Sequence, residues 1–324
     1  MIRRMDVRRT FVVPVVAVLL IGSGYLSTAV SARIAATRSV IQQDESLALP
    51  NCSPAESGEQ VQPMSTVAPS LAPPDAFGAV GDLLATAFVA EVPPGPLRLV
   101  LRRIELETGQ GADPRTTRGP LLYYVQSGTV TFHVEGTEQV RSEHDCLFVP
   151  AEAELSYQND ANPPTRAVVL RLSLAPPTTE DQEIAIFIEP TTTSGMTPAA
   201  SSLLLSADVA SPPQEGAWLF LMAIAWNSPV ADPGWHRHSG PVGLHVETGG
   251  VTVDLLSGQR RLPQGGCAYI PADTIHRELA AEVPTAILLA GVLPAAGALW
   301  ISEEPPDPED RVPTLVPSEV RCSE

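Results

Sequence analysis

Lysine is absent from this 324-residue chain: all 20 basic residues are arginine. That excludes Schiff-base and lysine-base chemistry, and it points to a GC-rich bacterial genome. Positive charge is scarce as well, with 37 acidic residues against those 20 and a formal net charge of -17. Such a chain gains no attraction to a phosphate backbone, so a nucleic-acid partner is not expected. Cysteine is limited to four residues, histidine to six and aromatics to 5%. No nucleophile elbow and no phosphate-binding glycine loop occurs after the first 32 residues. The longest apolar run, 11–22, is too short to span a bilayer.

Proline, in contrast, is abundant at 33 residues, and its clusters mark the divisions of the chain. Arg3, Arg4, Arg8 and Arg9 precede the apolar run, and Val30-Ser31-Ala32 follows it. This order predicts an export signal over residues 1–32 with cleavage after Ala32. Arg8-Arg9-Thr10-Phe11-Val12 is similar to a twin-arginine signal. Removing four arginines and Asp6 takes the net charge from -17 to -20. Residues 33–77 read as a disordered tether, 176–200 as a linker, and 298–324 as an acidic, solvated tail. The expected location is outside a bacterial cell, extracellular or on its surface, with an N-terminal anchor as the alternative.

The body of the chain repeats itself. Gly128-Thr129-Val130-Thr131-Phe132 matches Gly249-Gly250-Val251-Thr252-Val253 at an offset of 121, which also carries Cys146 onto Cys267 and Pro150-Ala151 onto Pro271-Ala272. Further upstream the same offset places Leu83-Leu84 on Leu204-Leu205. Val130, Phe132 and Val134 alternate with polar residues, as do Val251, Val253 and Leu255, which is the period of a strand with one buried face. Short apolar segments at 121–125, 147–149, 167–174, 218–225, 268–270 and 286–289 are separated by Gly, Pro and Ser clusters. The expectation is an all-β chain of two tandem barrels or sandwiches, at 78–175 and 201–297.

His236 and His238 stand two apart, so on a strand both imidazoles share a face. His276 follows the turn Pro271-Ala272-Asp273 and can return a third imidazole to the same point. Three neutral imidazoles suit a divalent metal such as Fe, Mn or Zn, with coordination positions left open.

These residues carry a family resemblance. Gly234-Trp235-His236-Arg237-His238 with Gly249, and Gly265 through Pro271 to His276, resemble the two motifs of the cupin family. With the repeat, the chain resembles a bicupin, two jelly-roll-type β-barrels of which the N-terminal one is degenerate. The resemblance implies His236, His238 and His276 as metal ligands. The family's glutamate position falls on Val242, and Glu247, five residues further, has the opposite parity, so no carboxylate ligand is expected. Some cupin-type dioxygenases hold iron with three histidines alone. In the first copy the corresponding positions are Arg115, Thr117, Leu121 and Leu155; no ligand survives, and that barrel reads as structural or as a metal-free pocket.

The expected function is an exported metal-binding cupin acting on a small molecule, as a dioxygenase or an isomerase, with no catalytic base identified. The alternative is a non-enzymatic module that binds a small molecule or metal. A monomer or a homodimer is expected, because the repeat supplies barrel pairing within one chain. His245 should point away from the ligands. Cys146 and Cys267 are expected to play a repeated core role without pairing to each other, while Cys52 and Cys322 are able to pair and tie tether to tail. Trp235 either lines a pocket or caps the barrel, and Tyr269 belongs to the core.

Overall fold

Period-two alternation between Gly- and Pro-rich turns builds twenty strands and, among the described residues, no helix. The computed structural model describes Cys52 and residues 79–177, 197–228, 232–281, 284–305, 307 and 320–322. The predicted export signal, nearly all of the tether and most of the linker lie outside these residues. Among the described residues no helix is long and apolar enough to cross a membrane.

The strands are β1 (Ala79–Val89), β2 (Leu97–Leu106), β3 (Gln110–Thr116), β4 (Leu121–Ser127), β5 (Thr129–Val134), β6 (Thr137–Ser142), β7 (Cys146–Val149), β8 (Glu154–Gln158), β9 (Ala167–Ala175) and β10 (Thr197–Pro198). They continue as β11 (Ala200–Val209), β12 (Ala217–Trp226), β13 (His236–Arg237), β14 (Val242–Thr248), β15 (Gly250–Leu255), β16 (Gly258–Pro263), β17 (Cys267–Ile270), β18 (His276–Ala280), β19 (Thr285–Pro294) and β20 (Ile301–Ser302). All six apolar segments singled out above fall within strands.

Four five-stranded sheets form two barrels of jelly-roll type. The first pairs sheet β11-β2-β9-β4-β7 with sheet β10-β3-β8-β5-β6, around Ile104, Tyr123, Phe132, Tyr157 and Val169. The second pairs β1-β12-β19-β14-β17 with β16-β15-β18-β13-β20, around Phe220, Trp226, Val242, Val253 and Leu289.

The barrels are not the sequence segments 78–175 and 201–297. β1 runs antiparallel to β12 in the second barrel, while β11 runs antiparallel to β2 in the first. Each half of the chain therefore lends its opening strand to the other. The exchange covers edges that would otherwise expose unpaired backbone. It also stacks the two sheets of longer strands over a shared apolar layer that includes Leu99, Leu101, Leu172, Leu205, Leu219 and Ala290.

Strand pairing gives the repeat its register. Val134 faces Leu155 as Leu255 faces His276, an offset of 121 on both strands. The opening strands instead correspond at 120: β1 bulges at Leu84 and β11 at Leu204. This corrects the placement of Leu84 on Leu205; one residue enters the second copy between its second and fourth strands. Gly128 and Gly249 occupy the same tight turn, with φ of 80° and 71°. A Cβ there would come within 2.7 Å of Arg166 O and 2.6 Å of Pro284 O, so only glycine fits.

All four cysteines are paired, in a pattern different from expectation. Cys52 bonds Cys146, and Cys267 bonds Cys322. The equivalent residues Cys146 and Cys267 are thus two anchor points, one for each extension. Cys52 is buried, and its amide donates to Thr86 O at 3.1 Å. Nor is the tail wholly solvated: Leu299 is buried, β20 pairs with β13, and Arg321 bridges Ser206 of β11. The apolar Leu299 and the Cys322 linkage outweigh the acidic composition that suggested otherwise. The disulfides close loops of 94 and 55 residues. Replacing either pair by serine is expected to destabilise the fold by about 2–5 kcal/mol, read as a lower thermal midpoint than that of the oxidised protein.

Candidate metal centre

The three histidines converge. His236 lies on β13 directly opposite His276 on β18, and His238 follows just beyond β13. Glu278 lies two residues past His276 on β18, so its carboxylate points the same way. One donor atom from each of His236, His238, His276 and Glu278 lies within 4.8 Å of the others. All four residues are 0–1% exposed.

The loops around the site are clamped. The Asp273 amide donates to His238 O at 2.8 Å. Arg237 binds Asp273 and, at 2.6 Å, Glu303, joining the 271–275 turn and the segment after β20 to the histidine strand. Arg277 binds Asp254 at 2.9 Å and Asp232 at 3.1 Å and lies over the Trp235 ring at 4.8 Å. Trp235 is thus buried beneath the Arg277 guanidinium. Trp300 stacks on the His236 imidazole, with ring centres 3.4 Å apart and planes 14° apart.

Each imidazole is oriented through Nδ1. The partners are Gly234 O at 3.0 Å for His236, Leu299 O for His238 and Thr274 O at 2.7 Å for His276. A carbonyl only accepts, so Nδ1 carries the proton and Nε2 turns inward. The Nε2 atoms of His236 and His238 are buried without a hydrogen-bond partner. His276 Nε2 lies 3.1 Å from Glu278 Oε1, and His236 Nε2 lies 3.4 Å from Glu278 Oε2.

Burial pushes the His236 imidazole down to about 4, against the pull of Glu278. It pushes His238 down to about 3, helped by repulsion from His276 and His236. Both are neutral at pH 7 and keep a free lone pair. For His276, burial is outweighed by the attraction and hydrogen bond of Glu278, so its pKa rises. Burial would also raise Glu278, but the imidazoles hold it well below the usual carboxylate range.

The expectation of a site without a carboxylate is corrected by Glu278. Val242, at the expected glutamate position, is buried in the apolar core between Ile270 and Gly291. The carboxylate comes from β18 instead, and its signal was present: His276-Arg277-Glu278 repeats the i, i+2 spacing of His236 and His238. Glu247 and His245 face the seam between the barrels, where Glu247 pairs with Arg103 of β2 and lies 3.4 Å from His245 Nε2. Tyr269 is half-buried against the shared layer. In the first barrel Arg115 faces Leu155 where His236 faces His276, and Tyr157 stands in place of Glu278.

No family model matches the sequence, and no curated protein matches it. Among solved structures, the chain is similar to a cupin 2 conserved barrel domain protein from Leptotrichia buccalis, at 15% identity and a TM-score of 0.33 over 66% of this chain and 88% of that one. It is similar to a variant of Bacillus subtilis oxalate decarboxylase, at 10% identity and a TM-score of 0.44 over 70% of this chain and 75% of that one. It is also similar to AerE from Microcystis aeruginosa, at 9% identity and a TM-score of 0.41 over 67% and 99%.

Proposed function

We propose that this chain, a tandem-barrel protein with the cupin fold, holds one divalent metal ion in its second barrel through His236, His238, His276 and Glu278. One observation carries the reading: two buried Nε2 lone pairs without partners point at the place that His276 and an ionised carboxylate also face. Three imidazoles and one carboxylate suit Fe, Mn or Zn. The single negative charge leaves a divalent ion only partly neutralised, so small anionic or oxygen-bearing ligands would be attracted. When bound, the metal would supply Lewis-acid polarisation of such a ligand or activation of O2, the chemistry of an isomerase or a dioxygenase.

The chain's own residues orient and enclose. Gly234 O, Thr274 O and Leu299 O hold the three rings in one tautomer, the outer-shell support that metal-binding histidines require. Trp300 lies flat on His236, and Leu299 O orients His238, so residues 299 and 300 pack directly against the donors. Trp300→Ala is expected to weaken metal binding about tenfold, the scale of losing a supporting contact; an unchanged affinity in competition with a chelator would mean that the stacked ring gives the site no support.

The same enclosure supports a second reading, a module that holds metal or a small molecule without turnover. Metal analysis of the purified protein after incubation with Fe(II), Mn(II) or Zn(II) tests the first premise. About one ion per chain is expected, falling towards zero in His238→Ala, and near-zero metal in the unmodified protein overturns the metal reading. O2 uptake or product formation across a panel of small oxygen-bearing substrates then separates enzyme from module. An exported location is part of the proposal, supported by the arginine-led N-terminus and by two disulfides, which persist in oxidising compartments.

A further inference from the structure

The first barrel has replaced its donors without filling the space. The positions of His236, His238, Val242, His276 and Glu278 are taken by Arg115, Thr117, Leu121, Leu155 and Tyr157, and all five line one cavity of about 260 Å³. Four arginines and one aspartate, Asp113, line that cavity, a surplus of three positive charges in a strongly acidic chain. A metal ion is repelled from such a place.

The arginines are arranged, not scattered. Arg102 on β2 and Arg171 on β9 are direct cross-strand partners, and Tyr123 on β4 is the next partner of Arg171. Residues directly opposed on antiparallel strands share a face, so this row looks into the barrel. Like charges in such a pair destabilise a sheet, and Arg171 is only 3% exposed. In the second barrel the corresponding pair is the apolar Met222 and Leu289. Arg102, Arg115, Arg171 and Asp113 each have an interaction partner within the protein. Arg102, Arg115, Arg171 and Tyr157 all line this one cavity, and burial raises the Tyr157 pKa while the arginines pull against it.

We propose that the first barrel binds a small organic carboxylate through Arg102, Arg115 and Arg171. A guanidinium fork matches the planar carboxylate in two parallel hydrogen bonds. Leu121, Leu155, Tyr123 and Tyr157 offer the rest of the ligand an apolar, aromatic wall. The volume suits a compact acid, below the usual range for drug-sized ligands. Inorganic anions would satisfy the charge but leave that wall unused. This site is independent of the metal centre in the other barrel.

The test is calorimetric titration of the full chain with benzoate, succinate and phosphate at constant ionic strength, before and after stripping metal with EDTA. One saturable site per chain for benzoate or succinate is expected, unchanged by stripping and by His238→Ala. Arg171→Met and Arg115→Gln should each weaken it at least tenfold. Arg115 is part-exposed, so its variant gives the reading where Arg171→Met fails to fold, as checked by ligand-free thermal unfolding. The proposal is overturned if neither acid binds, if Arg115→Gln leaves the affinity unchanged, if binding disappears with the metal, or if phosphate binds as tightly as the acids.

Discussion

Glu278→Gln is expected to lower metal affinity at least 100-fold while leaving the fold intact. The substitution keeps the side chain's shape and removes the one negative charge among the four donors. A fully buried site has no water to substitute for that charge, and a neutral amide oxygen is a far weaker partner for a divalent ion. Loss of a supporting residue alone costs 10–100-fold, so loss of a charged ligand belongs at or beyond the upper end. Competition with a chromophoric chelator reads the affinity, and circular dichroism checks the fold. Retention of full affinity would assign binding to the histidines alone, as the cupin resemblance by itself implied.

The second large effect concerns the exchanged strands. Neither half, 79–177 or 197–322, should yield a folded monomer when produced alone. Without its counterpart the first half has an unpaired β1, and its β2 is an uncovered edge; the second half has β11 and β12 in the same position. The faces they share, with Leu99, Leu101, Leu219 and Leu221, would be left in water. Exposed apolar edges of this kind promote aggregation or self-pairing. Co-expression should recover a soluble 1:1 complex. Analytical ultracentrifugation of each half decides: a folded, monodisperse single half would mean that the exchange contributes little.

Strand positions were legible because each rests on local alternation, as in Val130-Thr131-Phe132 or Val251-Thr252-Val253. The histidines were legible for the same reason, since spacing on a strand sets side-chain direction. What a single copy could not reveal is which neighbour a strand chooses. β1 and β11 have interchangeable alternation, and only the assembled shared layer distinguishes an exchanged pairing from a local one. Cysteine pairing escaped for a related reason: Cys52 meets Cys146 through the fold of the chain between them, a sequence separation of 94, which no local pattern records. Glu278 was missed on different grounds. The family pattern points to β14, at Val242, whereas the carboxylate that faces the histidines stands on β18. Glu278 is related to His276 by the same i, i+2 parity that relates His236 to His238.

The reciprocal loan of β1 and β11 has a consequence for how the two cavities are able to differ. Identical subunits that trade strands must carry every residue at both of their sites or at neither. A single polypeptide spanning both barrels is released from that constraint. Arg115 stands where the other barrel keeps His236, and Tyr157 where it keeps Glu278, without disturbing the common architecture. Two binding sites of opposite charge preference then become compatible with one symmetric scaffold.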